Sequence, residues 1–191
     1  MLIRRQAGTS MIEVLVSIVI VVLGLLGLAG LQSHAALAEA EAYQRSQAVV
    51  LLKDMADRIN ANRLNAQLYT TLGSHIGTDV GLDDCTLKTT NHERDKCEWS
   101  NSLLGAAESL AGNKVGAMTD ARGCVTETVN VMPRVYEIAV AWQGVTPSKA
   151  HPSTCGTGLY GDDKYRRVLV TTVRIGCLQN NAASGACTFP P

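Results

Sequence analysis

The segment Gly8-Thr9-Ser10-Met11-Ile12-Glu13 separates a short basic leader from the apolar run Val14–Leu31. That run carries one hydroxyl group and no charge, and it is about as long as the ~20 residues that a helix needs to cross a bilayer. A charged side chain at the centre of a membrane helix costs ~2.5–3.5 kcal/mol on insertion scales. The acid at the mouth of this apolar run therefore needs a specific reason.

The charges on either side of the apolar run predict its orientation. Arg4 and Arg5 precede it, whereas the next charge after it is the acidic Glu39. By the positive-inside rule the leader stays in the cytoplasm and the remainder of the chain is exported. We therefore predict a single-pass membrane protein whose bulk lies outside the cytoplasm.

Two other targeting segments contain an apolar run of this kind. A secretory signal peptide has an apolar region of ~7–15 residues followed by a small-residue cleavage site, and no acid is expected at its start. A plain signal anchor accounts for the membrane span. Neither alternative explains the glutamate.

The segment around the glutamate resembles the type III signal of prepilins, in which a dedicated peptidase cuts after the glycine and the glutamate becomes the fifth residue of the mature chain. Here the cut falls between Gly8 and Thr9. The stretches 12–16 (IEVLV) and 23–32 (LGLLGLAGLQ) further resemble the minor pilins of the PilV family. The resemblance implies methylation of the new amino terminus, although most family members have phenylalanine where this chain has threonine.

The resemblance gives Glu13 a role in assembly. After cleavage the amino group of Thr9 is a cation in surroundings of low dielectric constant, where a carboxylate is the natural partner. In pilins the partner is assigned to a neighbouring subunit, so Glu13 would set the axial register of the filament. Independently, Ser10-x-x-Glu13 fits a capping box at a helix start, and both roles are compatible.

The helix is predicted to continue beyond the apolar run. No proline occurs before Pro133, and an apolar stripe recurs at helical spacing, so the helix is predicted to run to about residue 65. The stripe consists of Ala48, Leu52, Met55 and Ile59. The charged residues of this outer half are predicted to form a solvated face: Glu39, Glu41, Arg45, Lys53, Asp54, Asp57 and Arg58.

The predicted fold class is α+β and pilin-like: a long spine helix whose outer half packs on a small antiparallel head stapled by disulfides. The predicted divisions are a cleaved leader (1–8), a membrane or filament-core half of the helix (9–31), an outer half (32–65) and a globular head (66–191). Glycine in a water-exposed helix lowers helix stability by ~1 kcal/mol relative to alanine, whereas in lipid it permits close helix packing. The apolar run contains three glycines at every third residue, Gly24, Gly27 and Gly30.

The spacing of apolar residues changes along the predicted head. Residues 60–101 are rich in turn formers and predict a connecting loop, and 98–110 predict a short helix that stops at Gly112-Asn113. Alternating residues then predict three strands of an antiparallel meander. The residues predicted to share one face of each strand are Val125, Val129 and Val131 in the first; Tyr136, Ile138, Val140 and Trp142 in the second; and Leu169, Thr171, Val173 and Ile175 in the third. Residues 143–163 are predicted to form a long exposed connection, and 179–191 a polar tail.

All six cysteines lie in the predicted head. An even number of cysteines in an exported chain predicts disulfides, and six cysteines allow 15 pairings. Sequence proximity favours Cys85–Cys97, Cys124–Cys155 and Cys177–Cys187, with Cys155–Cys177 as the alternative that would change the last two. The sequence has no Cys-x-x-Cys pair, so a structural zinc site is not expected.

The sequence predicts no catalytic residue, cofactor or metal site. It lacks a phosphate-binding glycine loop, a nucleophile elbow and a zincin motif, and its four histidines are scattered. Without the leader the chain has 15 basic and 17 acidic residues, so nothing predicts a nucleic-acid surface.

The function predicted from the resemblance is that of a non-enzymatic minor pilin that helps to prime a type IV pilus at or near its tip. Its implied partners are other minor and major pilins, the prepilin peptidase, the inner-membrane assembly platform and a tip adhesin. A pseudopilin of a type II secretion system shares the leader and the spine helix. An adhesive tip module that binds a surface through residues 143–163 is a third hypothesis.

Overall fold

The computed structural model describes residues 10–105, 109–110, 113–114, 118–177, 179–180 and 187–188. The chain divides into two compact units, Met1–Ala40 and Glu41–Pro191. The described residues combine a long N-terminal helix with a small antiparallel four-stranded sheet and disulfide bonds. This is the predicted pilin-like α+β fold, which is confirmed.

Helix α1 comprises Met11–Ala61. Its amino end is capped by Ser10, whose Oγ accepts a hydrogen bond of 3.3 Å from the backbone N–H of Ile12. The helix ends four residues before the predicted limit because Asn62 leaves the helical region, with φ −114° and ψ 44°. A 3₁₀ helix, Arg63–Tyr69, continues the chain.

The outer part of α1 contributes one stripe to the core of the head. Its buried residues are Ala48, Leu52, Met55 and Ile59, the four that the spacing predicts. They lie in one cluster with residues of the second helix and of the sheet. Burial of this stripe, rather than helix propensity alone, holds this half of α1 on the head.

Helix α2 comprises Asn91–Leu103, so the predicted helix over 98–110 is wrong in its bounds. Thr90 starts the helix early, because its hydroxyl accepts from the backbone N–H of Glu93 at 3.4 Å and donates to the Glu93 carboxylate at 2.7 Å. Gly105, with φ +76°, follows the last turn. The connecting loop before α2 is therefore shorter than predicted.

The described strands are β1 (Ile76–Gly77), β2 (Ser109–Leu110), β3 (Asn113–Lys114), β4 (Arg122–Val129), β5 (Arg134–Gln143), β6 (Arg166–Ile175), β7 (Gln179–Asn180) and β8 (Cys187–Thr188). The four-stranded sheet has the order β1-β4-β5-β6, and every pairing in it is antiparallel. The predicted three-strand meander is confirmed as β4 to β6, whereas the sequence does not predict the short edge strand β1 or the small pairs β2–β3 and β7–β8. Strands β7 and β8 pair with each other within the predicted polar tail.

The front face of the sheet forms the main core. All four residues predicted to share one face of the second strand, at positions 136, 138, 140 and 142 of β5, are buried there. Of the three residues predicted for one face of the first strand, β4, only Val125 is buried. Val129 is the last residue of β4 and is partly exposed, and Val131 lies beyond the strand and is 67% exposed. Strand β4 ends early at a register shift between Glu127 and Val129.

The back face of the sheet is covered by the connection between β5 and β6, so the prediction that 143–163 is exposed is wrong at Cys155, Gly156 and Tyr160. Cys155 and Tyr160 from this connection are buried against Ala139 and Ala141 of β5. Small side chains on that face of β5 let the loop approach closely. The structure thus has a two-sided sheet with a second, smaller core.

Candidate functional site

The apolar part of α1 exposes its side chains on all sides. Every large apolar side chain between Met11 and Leu31 is at least 47% exposed. The most apolar 18-residue window of α1 has a mean hydropathy of 2.9, none of it is buried, and by length and composition it can cross a membrane. A helix that is apolar all round requires lipid or other helices as its surroundings.

Glu13 lies in the first turn of this apolar helix, with its side chain exposed. An acid in the first turn is favourable because the helix dipole places partial positive charge at the amino end. The Glu13 carbonyl accepts a hydrogen bond of 2.7 Å from the Ser17 hydroxyl. The predicted cleavage residues Gly8 and Thr9 lie outside the described residues, so cleavage and the pairing of Glu13 stay predictions.

Three glycines mark the middle of the exposed helix. A Cβ atom placed at Gly24, Gly27 or Gly30 would meet no described atom within 4 Å apart from the neighbouring residues and backbone of its own helix. Nothing within the described chain therefore requires glycine at these positions. They leave room for the close approach of another helix.

Arg58 connects the outer half of α1 to α2. Its guanidinium contacts Asp54 at 3.0 Å on its own helix, and Asp95 at 3.0 Å and Glu98 at 2.6 Å on α2. Asp95 also accepts a hydrogen bond from the Tyr69 hydroxyl. The prediction that Arg58 belongs to a solvated face is therefore wrong, because its side chain is only 23% exposed.

The ionisation of this cluster follows from its burial. Burial alone would lower the pKa of Arg58, but hydrogen bonds to Glu98 and Asp54 outweigh it and raise the pKa above its ordinary value. Burial raises the pKa of Tyr69, and the hydrogen bond to Asp95 raises it further. Arg58 is thus charged and Tyr69 neutral at any physiological pH. The cluster is a fixed electrostatic contact between two helices rather than a site that exchanges protons.

Glu41 makes a second contact between α1 and the head. Its carboxylate accepts from the Thr146 hydroxyl at 2.8 Å and the Thr146 N–H at 3.2 Å, and it lies 3.4 Å from the Arg167 guanidinium. These hydrogen bonds, and then the charge of Arg167, lower the pKa of Glu41 below its ordinary value. Glu41 therefore also departs from the predicted solvated face.

The structure brings together two of the three predicted cysteine pairs. Disulfides join Cys85 to Cys97 and Cys124 to Cys155, with Cα atoms 5.6 and 5.8 Å apart. Cys177 is disulfide-bonded. Its expected partner Cys187 has a side chain outside the described residues, so that pair stays a prediction. The alternative Cys155–Cys177 pair is wrong, because Cys155 is bonded to Cys124.

Arg166 holds the connection between β5 and β6 on the back face. Its buried guanidinium donates to the carbonyl oxygens of His151 at 2.9 Å, Ser153 at 2.8 Å and Cys155 at 3.0 Å. Asp163 balances its charge at 3.1 Å. A single side chain thus satisfies three loop carbonyls that would otherwise lose hydration.

Some of these residues could have been found in the sequence. The motif Thr90-x-x-Glu93 before a mixed helix is a capping box and would have moved the start of α2. The partners of Arg58 and Arg166 carry no such signal, because they depend on the tertiary arrangement. Among the residues that the structure describes, no group of three histidine, cysteine or acidic side chains could hold a metal ion.

The described residues combine a pilin-like, disulfide-bonded fold with an exposed apolar helix that by length and composition can cross a membrane. Residues 30–102, less than half of the chain, match the family model Tt1218-like, described as Type IV pilin Tt1218. This match supports a type IV pilin, a class of structural rather than enzymatic proteins. No curated protein and no solved structure matches the chain significantly.

Proposed function

We propose that this protein is a minor pilin of a type IV pilus, resembling the PilV family. The observation that carries the proposal is the exposed apolar half of α1 with Glu13 in its first turn, on a helix whose outer half lies in the core of a head. The family match over 30–102 supports the coarser statement that the chain is a pilin.

In this proposal the chain enters the inner membrane as a precursor with its leader in the cytoplasm. The prepilin peptidase cuts between Gly8 and Thr9, and the apolar half of α1 then passes from lipid into the filament. The transfer needs no refolding of the helix, since both surroundings are apolar. Arg4 and Arg5 are removed with the leader.

Glu13 serves as the assembly residue. A carboxylate exposed in an apolar helix is costly until it meets a cation, and the amino group of Thr9 from a neighbouring subunit supplies one. The pairing of the Glu13 carboxylate with the Thr9 amino group therefore favours one position of the subunit along the filament axis over positions shifted from it.

The protein acts with other minor pilins, the major pilin and the assembly platform. The first subunits of a filament have no neighbours on which to dock, so a preassembled group of minor pilins lowers the barrier to initiation. Few copies suffice for this role, and they lie at or near the tip.

The first test is the mass of the intact chain purified from membranes. We expect the mature protein to begin at Thr9, whereas Gly8→Val, with a branched side chain at the cleavage point, should retain the leader. A start near residue 30 would identify a secretory signal peptide. An unprocessed wild-type chain would identify a signal anchor.

The second test separates the pilus from a secretion system. Glu13→Ala should insert into the membrane normally but be depleted from sheared pili by about tenfold, because its partner amine is left without a carboxylate. Ser10→Ala, which removes the helix cap and keeps the carboxylate, is the matched control and should be incorporated.

Equal incorporation of Glu13→Ala and wild type would reduce Glu13 to a helix cap. Absence of the wild-type chain from pili, with loss of protein secretion when it is deleted, would instead identify a type II pseudopilin.

A further inference from the structure

A cavity of about 260 Å³ lies on the back face of the sheet, where the covering loop ends. We call it the back-face cavity. Its floor is formed by Thr126 of β4 and Glu137 of β5, which are direct partners across the two strands, and by the neighbouring pair Cys124 and Ala139. Its walls are the loop segments 73–75 and 153–157, with Leu159 at the rim.

The back-face cavity is held open by fixed contacts. The disulfide Cys124–Cys155 joins its floor to one wall. Arg166 fixes the same wall by donating to the carbonyls of Ser153 and Cys155. Gly156, with φ +68°, passes so close to Tyr160 that a Cβ atom would lie 2.8 Å from the ring. A ligand would therefore meet a preformed site and lose little free energy in ordering it.

Glu137 has no partner within the described part of the chain. No hydrogen bond or ion pair there involves its carboxylate, although the side chain is half-buried. Glu127, on the adjacent strand, instead accepts from the Tyr136 hydroxyl at 3.1 Å and lies 3.5 Å from Arg134. A half-buried carboxylate that lines a cavity and meets no donor of the described residues can accept hydrogen bonds from a ligand.

Most of the other polar side chains of the back-face cavity carry hydroxyl groups. The side chains of Thr126, Thr154 and Thr157 line it, and no hydrogen bond of theirs occurs among the described residues. Hydroxyls both donate and accept, whereas the carboxylate accepts only. The histidine in the wall, His75, lies 3.4 Å from Asp79, so it offers no uncompensated positive charge. The lining thus matches a ligand rich in hydroxyl groups and disfavours an anion.

We propose that the back-face cavity binds one ring of a neutral or amine-bearing saccharide, with Glu137 accepting hydrogen bonds from its hydroxyl or ammonium groups. The volume lies just below the ~300–1,000 Å³ of sites for larger small molecules, which limits the ligand to about one ring. This activity is separate from assembly and does not depend on the position of the subunit in a filament.

The test uses the full chain in a detergent without a sugar headgroup. Binding of D-glucose, D-galactose and D-glucosamine is measured by saturation-transfer NMR and calorimetry, with D-glucuronate as the anionic probe. Glu137→Gln should weaken binding about tenfold or more, since a hydrogen bond to a charged group is replaced by one to a neutral amide. Thr126→Val should weaken it by a smaller factor and keeps a strand-forming residue.

The matched control is Glu39→Gln, which removes an exposed carboxylate from α1, outside the cavity lining. The proposal is supported if at least one neutral or amine-bearing sugar binds, glucuronate binds at least about tenfold more weakly, and only the cavity variants reduce binding. Tryptophan fluorescence verifies that each variant is folded.

Three outcomes would overturn the proposal. These are no binding of any of the three sugars, equal binding by wild type and a folded Glu137→Gln variant, or binding of glucuronate as tight as that of the other sugars. If no sugar binds but n-butylamine does, the carboxylate is assigned to a lysine side chain of a protein partner.

Discussion

Helix α1 has two parts with different surroundings. Between residues 11 and 40 every side chain is exposed, although most of the first 21 are apolar. Between Glu41 and Ala61 four apolar side chains are buried in one stripe, and Glu41 and Arg58 contact the head. Apolar content alone therefore does not identify the part of a helix that belongs to the core. Apolar residues spaced along one face of a helix identify the part that packs in the core of the head. Apolar residues on all faces indicate that lipid or another chain surrounds the helix.

The largest expected effect compares one residue from each part. Met55 is fully buried, so Met55→Ala should lower the free energy of unfolding of the head by about 2–5 kcal/mol. Leu25 is 59% exposed, so Leu25→Ala should change that free energy by less than about 0.5 kcal/mol. Thermal unfolding can be followed by near-ultraviolet circular dichroism, because Trp99 and Trp142 lie in the core with Met55.

Equal effects of the two substitutions would contradict the division of α1. A folded Leu25→Ala variant that fails to enter pili would sharpen it, since the exposed part would then matter for assembly and not for the stability of the head.

The second prediction concerns the charged contact of the outer part. Arg58→Met leaves Asp95 and Glu98 together without their cation and should destabilise the head by about 1–3 kcal/mol. This lies between the ~3–5 kcal/mol of a broken buried pair and the ~0–1 kcal/mol of an exposed one, because Arg58 keeps 23% exposure.

The control for Arg58 is Lys53→Met on the same helix. The Lys53–Asp57 pair is exposed, at 75% and 63% of the two side chains, and its loss should cost less than about 0.5 kcal/mol. Chemical denaturation of wild type and of the two variants measures how much each substitution lowers the free energy of unfolding. If both variants lose the same stability, the Arg58 cluster contributes no more than a surface ion pair.

The residues that the sequence predicted correctly have a local cause. The stripe of α1 and the four alternating residues of β5 follow from helix and strand periods, because one face of each element is buried. The two disulfides that join Cys85 to Cys97 and Cys124 to Cys155 follow sequence proximity. Such features need no knowledge of distant residues.

The remaining features depend on contacts between distant parts of the chain. Residues 143–163 have no period, and nothing in their sequence shows that Arg166 fixes three of their carbonyls or that the back face of β5 receives them. Glu137 continues the strand pattern, and the absence of a partner among the described residues is recognised only when its neighbours are known. The sequence predicts a solvated face for the charged residues of α1, because it does not show that partners of Arg58 and Glu41 lie on α2 and β6.

The smallest expected effect is the pH dependence of the Glu41 contact. Hydrogen bonds from Thr146, aided by the charge of Arg167, lower the pKa of Glu41 below its ordinary value of 4.5, so the folded head favours the ionised carboxylate. The resulting stability is fully present above that ordinary value and is lost as the pH falls through the lower pKa of the folded state. Glu41→Gln keeps an acceptor for Thr146 but removes the charge that faces Arg167. At pH 7 it should be less stable than wild type by up to about 1 kcal/mol, since Glu41 is one-third exposed. The difference should shrink below pH 4.5. Glu39→Gln, which changes an exposed side chain of the same helix, is the control and should leave the stability of the head unchanged. A deficit of constant size at every pH would show that the shape of the side chain, and not its ionisation, holds the outer part of α1 to the β5–β6 connection.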